Sequence, residues 1–220
     1  KIMSSLTEMY DYMLQLAPTY RFELLVVDDG STDETAAIVE AFAASRPEVR
    51  LLRQPVNMRL GQALRDGFAA SLGDIVVVFD SDLSYSVDHI GRMLETMERD
   101  HVAVVVASPY MKGGKTSAIP WNRAQMSKQI NRVLSAASQY DVRTVTGMVR
   151  AYHGDFIRGL SLKSMGPEIN TEILYKAQIM RVRVSEIPAH LDWSDQAERM
   201  SKRKVSLKVT TTSKLLVFAS

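Results

Sequence analysis

Two pairs of aspartates stand where a chain places groups meant for a ligand. Val27-Asp28-Asp29-Gly30 follows the apolar run Leu24–Val27, and Phe79-Asp80-Ser81-Asp82 follows Ile75–Phe79. A carboxylate at the end of a buried strand is costly unless something binds it, and in open α/β sheets ligands sit beyond the carboxyl ends of the strands. Alternate residues of an extended segment point the same way, so Asp80 and Asp82 converge on one hard cation, Mg²⁺ or Mn²⁺, completed by phosphate oxygens of a substrate. After the first pair, Gly30 makes a turn and Ser31 or Thr32 caps the next helix, with Asp33 and Glu34 favouring its positive end. Between the pairs, Asn57-Met58-Arg59-Leu60-Gly61-Gln62-Ala63-Leu64-Arg65-Asp66-Gly67-Phe68 puts Gly61 at a helix start, where a ligand can approach the backbone. It has neither Walker nor dinucleotide spacing.

The elements that must hold these residues alternate between β-branched runs and helix-period segments, the pattern of a mostly parallel sheet flanked by helices. The spacing predicts helices over 3–16, 33–44, 60–72 and 87–99, and strands over 22–27, 49–52, 75–79 and 102–107. Beyond residue 108 come a mobile loop Ser108–Lys115, a helix over 122–137, an extended stretch near 143–152, a helix over 168–179 and a strand over 182–187. The economical division is a catalytic domain over 1–198 and a basic, amphipathic extension over 199–220. That extension runs from Arg199-Met-Ser-Lys-Arg-Lys into Leu215–Ala219, and it either docks on an anionic membrane surface or packs as a terminal helix.

Composition narrows the chemistry. The 220 residues contain no cysteine, which excludes disulfides, zinc-thiolate sites and a thiol nucleophile, and no run of 18 apolar residues occurs. The four histidines lack metal-like spacing. Net charge is +2, yet residues 1–100 carry 9 Lys/Arg against 17 Asp/Glu while residues 101–220 carry 18 against 8. An acidic half suits a metal and a basic half suits an anionic ligand or surface; nucleic acid is not expected as a partner.

The ordered series VDDGSTDE, N-x-x-x-G-x-A-L-x-x-G-F and GDIVVVFDSDL resembles the family 2 glycosyltransferases of the GT-A fold, and within them the dolichyl- and polyprenyl-phosphate sugar transferases. The likeness spans most of residues 22–205. It implies that Asp28 and Asp29 lie by the base and ribose of a nucleoside-diphosphate sugar, and that Asp80 and Asp82 hold its diphosphate through Mg²⁺ or Mn²⁺. Thr146–Ala151, with Arg150, resembles the family's T/S-G-F-R-A segment, Glu172 its acceptor-side glutamate, and Arg199-Met-Ser201-Lys202 its R-x-S-K. Three differences stand out: the chain starts inside the helix after the family's first strand, Ser84 replaces a glutamine of the metal loop, and Pro109 replaces an arginine before the loop tyrosine.

The resemblance implies an inverting transfer to a lipid phosphate at the cytoplasmic face of a membrane, the protein being peripheral to it or anchored there. Asp82 serves the leaving diphosphate through the metal, and Arg150, Arg199 and Lys202 offer it hydrogen bonds. A lipid phosphate is already an anion; a saccharide hydroxyl would need a base, with Glu172 the first candidate. An inactive nucleotide-sugar-binding module and a receiver-like domain are the rival readings. Trp121, Trp193 and Tyr110 read as packing residues before sugar platforms.

Overall fold

The computed structural model describes residues 1–137, 142–194 and 214–219. Its centre is a seven-stranded sheet in the order β2-β1-β9-β3-β6-β4-β7. The strands are β1 (Phe22–Asp28), β2 (Val49–Arg53), β3 (Ile75–Asp80), β4 (Val104–Ser108), β6 (Arg150–His153), β7 (Val184–Pro188) and β9 (Lys214–Ala219). Five run one way; β6 and β9 run against their neighbours. A second, two-stranded sheet pairs β5 (Lys115–Ser117) with β8 (His190–Asp192) in parallel.

The continuous apolar runs belong to central strands covered on both faces. Leu24 and Val26 of β1, with Val77 and Phe79 of β3, pack under α1 (Ile2–Leu16), α2 (Thr35–Ala43) and α4 (His89–Asp100). Leu25, Val27, Val76 and Val78 face α3 (Leu60–Ala70), α6 (Gly154–Gly159) and α7 (Ile169–Ile179). In α1 the fully buried Leu6, Met9 and Met13 recur at helical spacing, while Ser4, Thr7 and Asp11 face out. Each large side chain removed from water contributes about 1.5–3 kcal/mol, so the two apolar layers hold the strand ends in place.

The helix Trp121–Ala137, α5, is different. Only Asn131 among its described side chains is buried. Among the described residues no helix is long and apolar enough to cross a membrane.

The carboxyl-terminal expectation changes here. Lys214–Ala219 is neither a terminal helix nor a free extension: it is β9, antiparallel to both β1 and β3, with Leu216 in register with Leu25 and Val78. The facing edges of β1 and β3 carry backbone donors and acceptors that a strand between them satisfies. Residues 199–213, including the basic run offered for membrane docking, lie outside the described residues. The turn-like stretches also hid three short elements, β5, α6 and β8, whose few residues carry no periodicity.

Candidate active site

At the carboxyl edge of the sheet, β1 ends in Asp28 and β3 in Asp80, with β9 between them. Two strand spacings separate them, on the order of 10 Å. Asp28 is fully buried. Its Oδ1 accepts the Ser31 amide at 3.0 Å, and Oδ2 lies 3.7 Å from Arg53 Nε but receives no hydrogen bond among the described residues. Asp29, also buried, accepts the Met58 amide at 2.6 Å and so ties the loop after β2 to the end of β1. Gly30 makes this closeness possible: its φ is +72°, and a Cβ would strike the backbone of Val56 and Asn57. The next helix is entered through Asp33, whose Oδ1 accepts the Thr35 amide at 3.0 Å, and not through a Ser31 or Thr32 cap. Contacts with Thr35 draw the Asp33 carboxyl below its usual range.

The second pair lies half-exposed. Asp82 Oδ1 accepts the Ser84 amide at 3.0 Å, and Leu83 takes a left-handed φ of 51°, which bends the loop back on itself. Beneath it Tyr85 is buried, and desolvation together with the Asp80 carboxylate pushes its phenol well up. Tyr85 also bridges to Leu191, and Asp192 donates its amide to Ser84 O at 2.8 Å. The Asp80–Tyr85 loop is thus bonded to the β8 strand, a connection that local sequence does not announce.

Three residues offered for chemistry are engaged in contacts within the fold. Arg150, fully buried on β6, gives Nε to Gly147 O at 2.8 Å, Nη1 to Asn170 O at 2.8 Å and Nη2 to Val145 O at 2.5 Å. Its guanidinium stitches the 145–147 loop to α7. Glu172 accepts the amides of Lys163 (2.9 Å) and Ser164 (2.8 Å) and the Lys176 ammonium (2.7 Å). Burial opposes its charge, but the Lys176 and Ser164 bonds prevail and draw the carboxyl down to about 2. A group so acidic is a poor base near neutrality. Gly61 donates to Met165 O at 2.8 Å, and a Cβ there would meet the Ser164–Met165 backbone, so its smallness serves loop packing. Arg199, Ser201 and Lys202 lie outside the described residues.

On the same edge, two strands beyond β3, the chain leaves β4 through Ser108, whose Oγ bonds Thr144 Oγ1 at 2.6 Å. Between the following loop and α5 opens a cleft of about 970 Å³ lined by Lys112, Lys115, Lys128, Arg132 and Arg143, with no carboxylate among the described residues that line it. Tyr110 donates to Ser127 at 2.8 Å across its wall. Asn131 holds α5 in place: its Oδ1 accepts the amides of Val145 (2.7 Å) and Thr146 (3.1 Å). Sequence reading passed over Asn131; the available signal was a polar residue on the stripe of Ala124, Ser127 and Leu134. Trp121, read as a packing residue, is 77% exposed, and Trp193 lies 4.2 Å beneath the Arg123 guanidinium.

The α/β sheet, with aspartates at the carboxyl ends of β1 and β3, has the GT-A fold. Residues 4–159 match the profile of glycosyl transferase family 2, and the chain belongs to that family. It is 26% identical over 198 residues to a dolichyl-phosphate β-glucosyltransferase of Trichomonas vaginalis, covering 86% of this chain and 57% of that protein. It is 27% identical over 180 residues to a dolichol-phosphate mannosyltransferase of Pyrococcus furiosus, covering 81% and 51%. The chain therefore spans about half the length of these curated relatives. Among solved structures, glucosyl-3-phosphoglycerate synthase of Mycobacterium tuberculosis, in complex with Mn²⁺, UDP-glucose and phosphoglyceric acid, aligns with TM-score 0.57 at 20% identity, over 76% of this chain and 58% of that one. A Pyrobaculum calidifontis mannosyltransferase in complex with GDP-mannose and Mn²⁺ aligns with TM-score 0.54 at 19% identity, over 76% and 47%.

Proposed function

We propose that the chain is the catalytic domain of an inverting glycosyltransferase that moves a sugar from a nucleoside-diphosphate sugar to a polyprenyl phosphate, peripheral to a membrane on its cytoplasmic face. The observation that carries the reading is the pairing, along one sheet edge, of aspartates suited to a nucleotide and a cation with a cleft whose charged lining groups, among the described residues, are all cations. Asp28 Oδ2, buried, 3.7 Å from Arg53 Nε and without a hydrogen bond among the described residues, is an acceptor suited to an N–H or O–H of a nucleoside.

Asp80 and Asp82 fit a divalent ion: two hard oxygen donors, half-exposed, with no cluster of three or more His, Cys, Asp or Glu among the described residues. So lean a donor set suits Mg²⁺ or Mn²⁺, whose remaining positions substrate phosphates and water complete. Bound there, such an ion would supply charge stabilisation to the departing diphosphate. Asp28 and Asp29 orient the nucleoside, and the rigid turn at Gly30 keeps both carboxylates in place. A phosphate oxygen of the acceptor forms the new bond to the anomeric carbon as the bond to the diphosphate breaks, with the electron pair leaving on the diphosphate; one displacement inverts the configuration. The acceptor, with a second pKa of roughly 6, needs no base. That agrees with a site whose sequence-predicted base, Glu172, is tied to Lys176 and two amides.

The test is transfer from UDP- and GDP-sugars to a polyprenyl phosphate with Mn²⁺, with Mg²⁺ and with excess chelator. Metal-dependent formation of lipid-linked sugar supports the reading. Donor binding without transfer to any acceptor would leave the inactive binding module, and transfer to a saccharide hydroxyl but not to phosphate would replace the acceptor.

A further inference from the structure

α5 is built inside out for a helix of a water-soluble domain. The side it turns to the body carries Ala124, Ser127, Asn131 and Leu134, a mostly small and polar stripe at i, i+3, i+7 and i+10. The side it turns outward carries Met126, Ile130 and Val133 at i, i+4 and i+7, and these are 59%, 45% and 69% exposed, with Trp121 at the helix start 77% exposed. From Pro109 to Ala137 the chain contains Lys112, Lys115, Arg123, Lys128 and Arg132 and no Asp or Glu. An apolar face that no described element covers thus adjoins a segment whose charged residues are all cationic.

We infer that α5 and the loop before it are the surface by which the domain sits on an anionic bilayer, with Met126, Ile130 and Val133 entering the interface and Lys112, Lys128 and Arg132 meeting lipid phosphates. Charge selects this occupant. A second copy of the same face would oppose cations to cations, whereas an anionic bilayer offers apolar depth and negative charge together. The basic cleft lies beside this face, so docking brings it to the lipid surface. The purpose assigned to docking rests on the proposed lipid-phosphate acceptor; the docking itself does not.

The whole chain is mixed with vesicles of phosphatidylcholine alone and of phosphatidylcholine with phosphatidylglycerol, at low and high salt. Binding to the anionic vesicles at least about tenfold stronger than to the neutral ones, and weakened by salt, is expected from a few basic residues near the surface. M126D/I130D/V133D places charge at exposed positions and should lower binding by about tenfold or more with the circular dichroism spectrum unchanged. K128Q/R132Q should remove much of the preference for anionic lipid while leaving the weaker apolar partition. Vesicle binding by M126D/I130D/V133D equal to that of the unaltered chain would overturn the inference. So would lipid-free, concentration-dependent dimerisation that protects α5 amides from exchange. Transfer to a short, water-soluble prenyl phosphate, measured in parallel, should survive in M126D/I130D/V133D. It reads the proposed function alone, so the two readings fail separately.

Discussion

The acidic edge and the basic flank are held by different physics. Asp28 and Asp29 are buried, backed by two apolar layers and fastened through the amides of Ser31 and Met58. α5 leaves most of its side chains exposed and is fastened by Asn131. A site that must hold a charged donor in one pose needs groups that cannot relax, because binding then costs little reorganisation. A surface that receives a lipid needs exposed apolar and cationic groups, which a well-packed core would have hidden. The loop after β3 joins the two regions through Tyr85, Ser84 and the β8 strand.

The contrast breaks first at Asp82. Asp82→Asn should lower transfer by about 10²–10³, as expected when a leaving group loses its main charge stabilisation, with the thermal unfolding midpoint nearly unmoved. Undiminished turnover in excess chelator would show that the acidic edge holds no required cation.

Arg150 should behave oppositely. Arg150→Met leaves the carbonyls of Val145, Gly147 and Asn170 without their donor, at a cost of about 2–3 kcal/mol in denaturant unfolding. A stable variant with greatly reduced kcat would return Arg150 to the reacting groups.

Glu172→Gln should cost about 1–2 kcal/mol, since charge-assisted bonds to Lys176, Lys163 and Ser164 weaken, and should change kcat near neutral pH by less than about threefold, there being no base to lose. The folded carboxyl, near 2, is depressed from its ordinary 4.5. Its contribution to stability is therefore fully present above about pH 4.5 and lost as pH falls toward 2. Denaturation midpoints of the two proteins should differ near pH 7 and converge below about pH 3. Loss of transfer in a well-folded Glu172→Gln would restore the hydroxyl-acceptor reading.

The smallest effect sharpens the comparison. Asn131→Ala frees the Val145 and Thr146 amides and should destabilise the flank locally by about 1 kcal/mol. Hydrogen exchange should rise along α5 while nucleotide-sugar affinity at the acidic edge stays the same. Weakened donor binding in this variant would mean that the two regions are energetically one.

Much of this was legible in the sequence because local patterns suffice for it. Continuous apolar runs at 24–27 and 75–79 marked strands covered on both faces, and the carboxylates after them marked the carboxyl ends of β1 and β3. What local pattern cannot express is the company a side chain keeps. Arg150 and Glu172 carry the residue types of a catalytic pair, and only the folded chain shows three carbonyls around one and two amides with a lysine around the other. Gly61 looked like a ligand-facing glycine until the 164–165 backbone closed over it. Strand pairing is likewise non-local: nothing within Leu215–Phe218 distinguishes a membrane-seeking segment from a central strand, and the open hydrogen bonds of β1 and β3 made the choice. The sequence by itself determined which residues are apolar, which are charged and at what spacing. Tertiary structure decided which of those charges remain for a ligand, because a charged group is available for chemistry only where the surrounding chain leaves it something to bind.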